Sequence, residues 1–220
     1  MKLLIKFPTR NRPDKFLNVL FTYIKFLDDK ETEIIISADN DDITMNNPII
    51  RNVIERIPNV QIYFNDNKTK IEAVNADLKN INFDIVLLAS DDMIPLVKGY
   101  DTIIKEKMKL HFPDTDGVLW FNDGYQGDKL NTLCILGKKY YNRFNYIYYP
   151  EYKSCWCDNE FMEVANKLKK QIYFNDIIIK HEHPDYGHGE RDIIHQLNYE
   201  NVGYDNKLYI DRKLKNFDLC

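Results

Sequence analysis

Apolar residues in the first 95 positions follow two alternating rhythms. Short runs rich in Leu, Ile, Val and Phe at residues 2–7, 33–37, 61–64 and 84–89 have the length and composition of buried strands. Between them lie stretches with helical spacing. Pro13 and Asp14 open one whose Phe16, Leu17, Leu20, Phe21, Ile24 and Leu27 share a face. Pro48 opens a shorter one with Ile50, Val53, Ile54 and Ile57 inward, and a third covers residues 71–78. Strands alternating with helices predict a parallel, doubly wound α/β sheet.

After residue 95 the pattern becomes irregular. Residues 100–110 and 161–168 read as helices, and residues 117–121, 132–136, 172–174 and 177–180 as strands. Aromatic residues crowd positions 143–152. From residue 191 onward, Ile193, Ile194 and Leu197 mark one face of a helical extension. The expected organisation is a single domain over residues 1–190, with an ordered half at 1–95 and an irregular α+β half at 96–190. Residues 191–220 follow as a helical tail.

Composition narrows the function classes. With 44% hydrophobic and 29% charged residues, and only 8 Gly and 8 Pro in 220, the chain reads as globular with no long linker. A net charge of -4 gives no footprint for duplex nucleic acid. The opening residues 1–8 are too short and interrupted for a signal peptide or a membrane span, so a cytoplasmic location and reduced cysteines are expected. Cys134, Cys155, Cys157 and Cys220 lack zinc-site spacing.

The candidate chemistry gathers where predicted strands end. Pro8-Thr9-Arg10-Asn11-Arg12 follows the first, Asp39-Asn40-Asp41-Asp42 the second and Ser90-Asp91-Asp92 the fourth. In open α/β sheets ligands bind outside the carboxyl ends of the strands, so these clusters would face one crevice. Two carboxylates ~5 Å apart at an effective dielectric of ~20 repel by about 3 kcal/mol. Asp91 and Asp92 therefore read either as a site for a hard divalent cation or as caps of a following helix. Asp39 is placed to hydrogen-bond a base or ribose, or to shape an Asx turn. Arg10 and Arg12 are placed to meet a phosphate or nucleobase, or to sit solvated in a loop. No Gly-rich dinucleotide fingerprint and no P-loop occurs, which weakens dehydrogenase and NTPase readings.

Two later features extend the list. Asp158, in Trp156-Cys157-Asp158-Asn159-Glu160, either caps a helix or faces the crevice as a general base. His181 and His183 would point to the same side of a strand, where one could complete a metal shell with the aspartates and tilt the choice toward Mn²⁺ over Mg²⁺. Side by side, these clusters favour the cation reading of Asp91 and Asp92.

The ordered set of Thr9 and Arg10, Asp39, Asn75, Ser90-Asp91-Asp92, Asp158 and the histidine pair resembles glycosyltransferases with the GT-A fold, specifically family-2-like enzymes. The likeness covers most of the chain to about residue 190. It implies a mostly parallel Rossmann-like sheet flanked by helices, with a nucleotide-binding half and an acceptor-side half. The implied reaction moves a sugar from a nucleotide sugar, UDP-linked in the first instance, to the hydroxyl of a glycan, lipid or protein acceptor, with inversion. By the same resemblance Thr9, Arg10, Asp39, Asn75 and Asp91 contact the nucleotide, and Asp91 and Asp92, with His181 or His183, hold Mn²⁺ or Mg²⁺. Asp158 is the base. The chain departs from the family pattern at Ala89 and Cys157, where relatives often carry acidic residues. The aromatic stretch 120–156 is expected on the acceptor side or in the core. Two rival readings are a metal-dependent nucleotidyl or phosphoryl transferase and a non-catalytic nucleotide- or glycan-binding domain.

Overall fold

A computed structural model describes residues 1–182, 187, 196 and 199–219. The first strands and helices fall where the pattern placed them: β1 Leu3–Pro8, α1 Pro13–Phe26, β2 Glu33–Asp39, α2 Pro48–Glu55, β3 Val60–Asn65, α3 Lys70–Asn75 and β4 Ile85–Leu88. A short strand β5, Met93–Pro95, comes next, then α4 Tyr100–His111, β6 Val118–Phe121, β7 Ile135–Gly137 and α5 Lys138–Tyr141. The second half ends with α6 Cys157–Lys167, β8 Gln171–Phe174, β9 Ile179–His181 and α7 Val202–Leu214. The expected helical face at Ile193, Ile194 and Leu197 lies outside the described residues.

The main sheet has the order β3-β2-β1-β4-β7-β6-β8, and β5 pairs with β9 in a separate two-stranded sheet. Strands β3, β2, β1 and β4 run parallel, β7 runs against both β4 and β6, and β6 and β8 are parallel. The sheet is mostly parallel, as expected, and the carboxyl ends of β1, β2, β4 and β6 share one edge.

Alternate residues of each strand serve opposite cores. Leu3, Ile5, Phe7, Ile34, Ile36, Ile85 and Leu87 face α1, α2 and α4, whereas Leu4, Ile35, Val86 and Leu88 face α3, α6 and α7. Period-two alternation between two apolar faces explains why these strands read as continuous hydrophobic runs. In α1 the buried residues are Phe16, Val19, Leu20 and Tyr23, while Phe21, expected inside, is 47% exposed. The contact stripe of α1 is set by Tyr23, which packs edge-on against Phe7 and Tyr100 at 5.8 and 5.7 Å.

The aromatic segment is largely core. Tyr140, Tyr141, Tyr148 and Tyr152 are buried beneath α6 and α7. A polar cluster interrupts the apolar face. Lys6, on β1, is fully buried and meets Ser37, whose hydroxyl bonds Asp77, and Asn65 donates to the same carboxylate at 2.8 Å. Burial lowers the Lys6 pKa to about 8, with Asp77 opposing part of that shift.

Candidate functional site

The strand-end clusters are stitched into one crevice by side chains. The Thr9 N–H extends the ladder to Ser37 O at 2.9 Å, and Thr9 is buried. Its hydroxyl has no hydrogen-bond partner among the described residues. A buried hydroxyl without a partner costs free energy.

Arg10 donates to Asp39 at 2.6 Å and to both oxygens of Asp41 at 2.7 and 3.1 Å. Asn67 donates to the other Asp39 oxygen at 2.9 Å. Asp39 thus closes the end of β2 with one guanidinium and one amide already upon it. The Arg10 cation holds the Asp41 carboxyl below its ordinary range and is itself driven up by that bond.

Asp91 and Asp92 part company. A strand, β5, follows them at once, and the next helix, α4, starts from Gly99, so neither aspartate caps it. Arg12 donates to Asp91 at 2.9 Å, and Lys15 lies 3.5 Å from the same oxygen. Burial nevertheless raises the Asp91 pKa, more than Arg12 lowers it. Asp92 turns the other way. Ser90 donates to it, and His181 Nε2 lies 3.6 Å from its Oδ2. Burial would raise the Asp92 carboxyl, but the His181 contact wins and holds it well below the usual carboxylate range.

His181 reaches this place because β9 pairs with β5, setting His181 opposite Met93. On its far side, Nδ1 lies 3.7 Å from Asp123 Oδ2. Burial disfavours the imidazolium, yet the two carboxylates outweigh it and lift the His181 pKa to about 9. Asp123 is buried, accepts from Tyr125 and Gln126 N–H and from the Thr132 hydroxyl at 2.9, 2.7 and 2.7 Å, and sits at about 2. Sequence reading did not pick out Asp123. The signal was present in Phe121-Asn122-Asp123-Gly124, a strand that ends in an Asx-Gly turn at the same sheet edge.

Asp158 is the second residue of α6, with Asp158 and Glu160 placed favourably in its first turn. Burial of its carboxyl raises its pKa, and Lys70 and, less strongly, His181 oppose the rise. The Lys70 charge also reaches Asp92. Asp158, Asp92, His181 and Lys70 therefore share one electrostatic neighbourhood, although they come from α6, the end of β4, β9 and the start of α3. Lys70 is the second residue that sequence reading passed over.

Asn75 has another use. Its side-chain oxygen accepts from Ile147 and Tyr148 N–H at 2.9 and 3.2 Å, and its amide donates to Tyr148 O at 2.7 Å. It ties α3 to the aromatic segment, and the expected nucleotide contact gains no support from that geometry. His183 lies outside the described residues. Among the described residues no three His, Cys, Asp or Glu side chains gather into a metal cluster. No helix among them is long and apolar enough to cross a membrane.

The fold recurs in solved structures. S. aureus TarS 1-349 matches with a TM-score of 0.63 and 16% identity over 81% of this chain and 59% of that one. The same protein in complex with UDP-GlcNAc gives 0.63 and 18% over 81% and 57%. The mannosyltransferase PcManGT from Pyrobaculum calidifontis, in complex with GDP-Man and Mn²⁺, gives 0.67 and 13% over 85% and 58%. The chain spans less than two thirds of the length of these structures. No family model matches it, and no curated protein sequence does. The mostly parallel seven-stranded sheet and these neighbours lead to one conclusion: the chain has a GT-A-like fold.

Proposed function

We propose that this chain is the catalytic unit of an inverting, metal-dependent glycosyltransferase that moves a sugar from a nucleotide sugar to an acceptor hydroxyl. The observation that carries the reading is Asp158: a carboxylate with a raised pKa, at a helix start, in the same charge neighbourhood as Asp92 and His181. A raised carboxyl pKa makes a better base near neutrality. Asp158 takes the proton of the acceptor hydroxyl, whose oxygen bonds to the anomeric carbon. The bond from that carbon to the donor phosphate breaks on the opposite face, and its electron pair leaves with the nucleoside diphosphate.

The donor's place is supported by the orphaned Thr9 hydroxyl and by Asp39 at the end of β2. Arg10 stands beside Asp39 and would brace it against the base or ribose. Arg12, Lys15 and Lys70 supply the cations that a diphosphate needs in a chain of net charge -4.

The donor set also fits a divalent cation. Asp92 Oδ2 and His181 Nε2 are 3.6 Å apart, a separation that one ion with bonds of ~2.1 Å can bridge. Such ions are commonly held by one or two protein groups with substrate phosphates supplying the rest. In this reading Asp92 and His181 are the ligands, His181 after the arriving ion displaces its Nε2 proton, joined by Asp91 if Arg12 releases it, and His183 is a further candidate. When bound, the ion offsets negative charge developing on the leaving diphosphate.

The test is a panel of UDP- and GDP-linked sugars incubated with the protein and Mn²⁺ or Mg²⁺, with products resolved by chromatography. Release of nucleoside diphosphate that is lost in Asp92→Ala, with donor binding retained in Asp158→Asn, is expected. Release of pyrophosphate or nucleoside monophosphate would instead assign nucleotidyl or phosphoryl transfer. Binding with no turnover would assign a non-catalytic domain.

A further inference from the structure

Helix α7 stands outside the sheet, yet three residues on one of its faces grip the chain on both sides of Asp158. Asp205 is fully buried. One of its oxygens accepts from Lys153 N–H at 2.9 Å, and the other accepts from Ser154 and Cys155 N–H at 2.9 and 2.8 Å. One turn on, the Tyr209 ring packs against Trp156 with centroids 5.3 Å apart. A further turn on, Arg212 donates to both oxygens of Glu160 at 2.8–2.9 Å, while Tyr152 donates to Glu160 at 2.8 Å. Positions 205, 209 and 212 recur at helical spacing, so one face of α7 meets residues 153–155, residue 156 and residue 160 in order.

Between those grips lies a backbone kink. Trp156 has φ 61, in the left-handed region, and is the last residue before α6. A bulky residue holds that conformation only when its surroundings over-determine it. The carboxylate on one side and the ring contact on the other supply that constraint. Without them the 153–156 segment would relax toward ordinary dihedrals, and the first turn of α6 would swing with it.

We propose that Asp205 is a positioning residue for Asp158: it fixes the approach to α6 so that the base points into the crevice. This inference rests on the reading of Asp158 as the base. It differs from a general role in folding because the bonds of Asp205 all end on three consecutive amides at the approach to α6.

The experiment compares wild type, Asp205→Asn and Asp158→Asn with the donor that the panel identifies. An asparagine has nearly the same shape but keeps only one acceptor oxygen, so part of the three-amide grip is lost. The expected result for Asp205→Asn is a kcat lowered by about 10- to 100-fold, with donor KM and nucleotide affinity within about twofold of wild type. Hydrogen exchange should quicken at the amides of 153–155 and stay slow in β1 and β4. Tyr209→Leu, which keeps the carboxylate and loses the ring contact, should show the same kcat-only loss in weaker form. Unchanged kcat in Asp205→Asn, or kcat and donor affinity falling together in both variants, would overturn the positioning role. If Asp158→Asn keeps wild-type turnover, it is the assignment of the base that fails; loss in Asp158→Asn with full kcat in Asp205→Asn rejects the positioning role alone.

Discussion

His181 and Asp92 meet twice: the imidazole Nε2 stands 3.6 Å from the carboxylate, and the N–H of the next residue, Glu182, donates to the Asp92 carbonyl at 2.6 Å. The main-chain bond fixes the distance between β9 and the end of β4, and the side-chain pair uses it. Replacing His181 by Ala would leave Asp92 and Asp123 buried on either side of the lost imidazole without their shared cation. Breaking a buried pair from one side costs about 3–5 kcal/mol. His181→Ala should therefore lower the unfolding free energy by that order in denaturant titration, and should lose most of the rise in melting temperature that Mn²⁺ with UDP gives the wild type. A variant as stable as wild type, with the full Mn²⁺ response, would contradict both halves.

Thr9 offers a prediction of opposite sign for stability and binding. Its buried hydroxyl lacks a partner among the described residues, so Thr9→Val removes a group that is desolvated without compensation. The free protein should be unchanged or more stable by up to about 1 kcal/mol, while nucleotide affinity falls by about fivefold. Calorimetry on the two proteins with UDP and GDP separates the effects, and a loss of stability in the valine variant would show that the hydroxyl has a partner within the chain.

For Asp158 the direction of its pKa shift fixes the pH dependence. Burial raises the carboxyl pKa in the folded state, so the folded protein holds this proton more tightly than the unfolded chain does. Above the unfolded value the ionised group therefore opposes folding, and Asp158→Asn should be neutral or stabilising at pH near 7 while turnover drops by a hundredfold or more. The base works only when deprotonated, so wild-type kcat should fall on the acid side at a pH above the ordinary carboxylate value. An acid limb at or below that value would remove Asp158 from the role.

The buried Lys6 gives a test that needs no substrate. Its pKa of about 8 lies below the ordinary 10.5, so above pH 8 the folded state binds fewer protons than the unfolded chain. Stability then rises with pH, by about 2 kcal/mol between pH ~8 and ~10 from this group. His181, Cys134 and Cys157, whose folded-state pKa values are raised, act in the opposite sense across the same range, and Tyr23 and Tyr100 do so above it. Lys6→Met lacks this contribution and leaves Asp77 with Ser37 and Asn65 as donors, so the stability difference between wild type and variant should shift by about 2 kcal/mol in favour of the wild type between pH ~8 and ~10. Urea titrations at several pH values decide it, since equal slopes in both proteins would place the Lys6 charge outside the linkage.

Much of the first half was legible because each buried strand there declares itself locally. Residues 85–89 are apolar, bounded by Asp84 and Ser90 and followed by Asp91-Asp92, and every part of that statement is short-range. The pattern misled where a contact is tertiary. Phe21 fits the helical stripe of α1 but lies off the side that Tyr23 fixes against Phe7 and Tyr100. The three residues of β5 carry no strand signal of their own and form only because β9 returns from about 85 residues later to pair with them. Asp123 became a neighbour of His181 by the same return. Asn75 had the right residue type for a ligand contact, and only the structure shows its amide turned to Ile147 and Tyr148. Residue type tells what a side chain is able to do, and long-range pairing decides what it meets.

The reversed strand β7 has a consequence for how such a chain can diversify. Because β6 runs up to the crevice edge and β7 runs back, residues 122–134 form an excursion with both ends anchored in the interior of the sheet. Doubling a flexible loop costs only about 0.6 kcal/mol in closure entropy. Insertions or exchanges within residues 124–130, between the buried Asp123 and the buried 131–134, would rebuild one wall of the crevice while the register of β1, β2 and β4 stays untouched. New partners could thus be acquired by lengthening one surface loop, on a scaffold whose other strand ends keep their alignment.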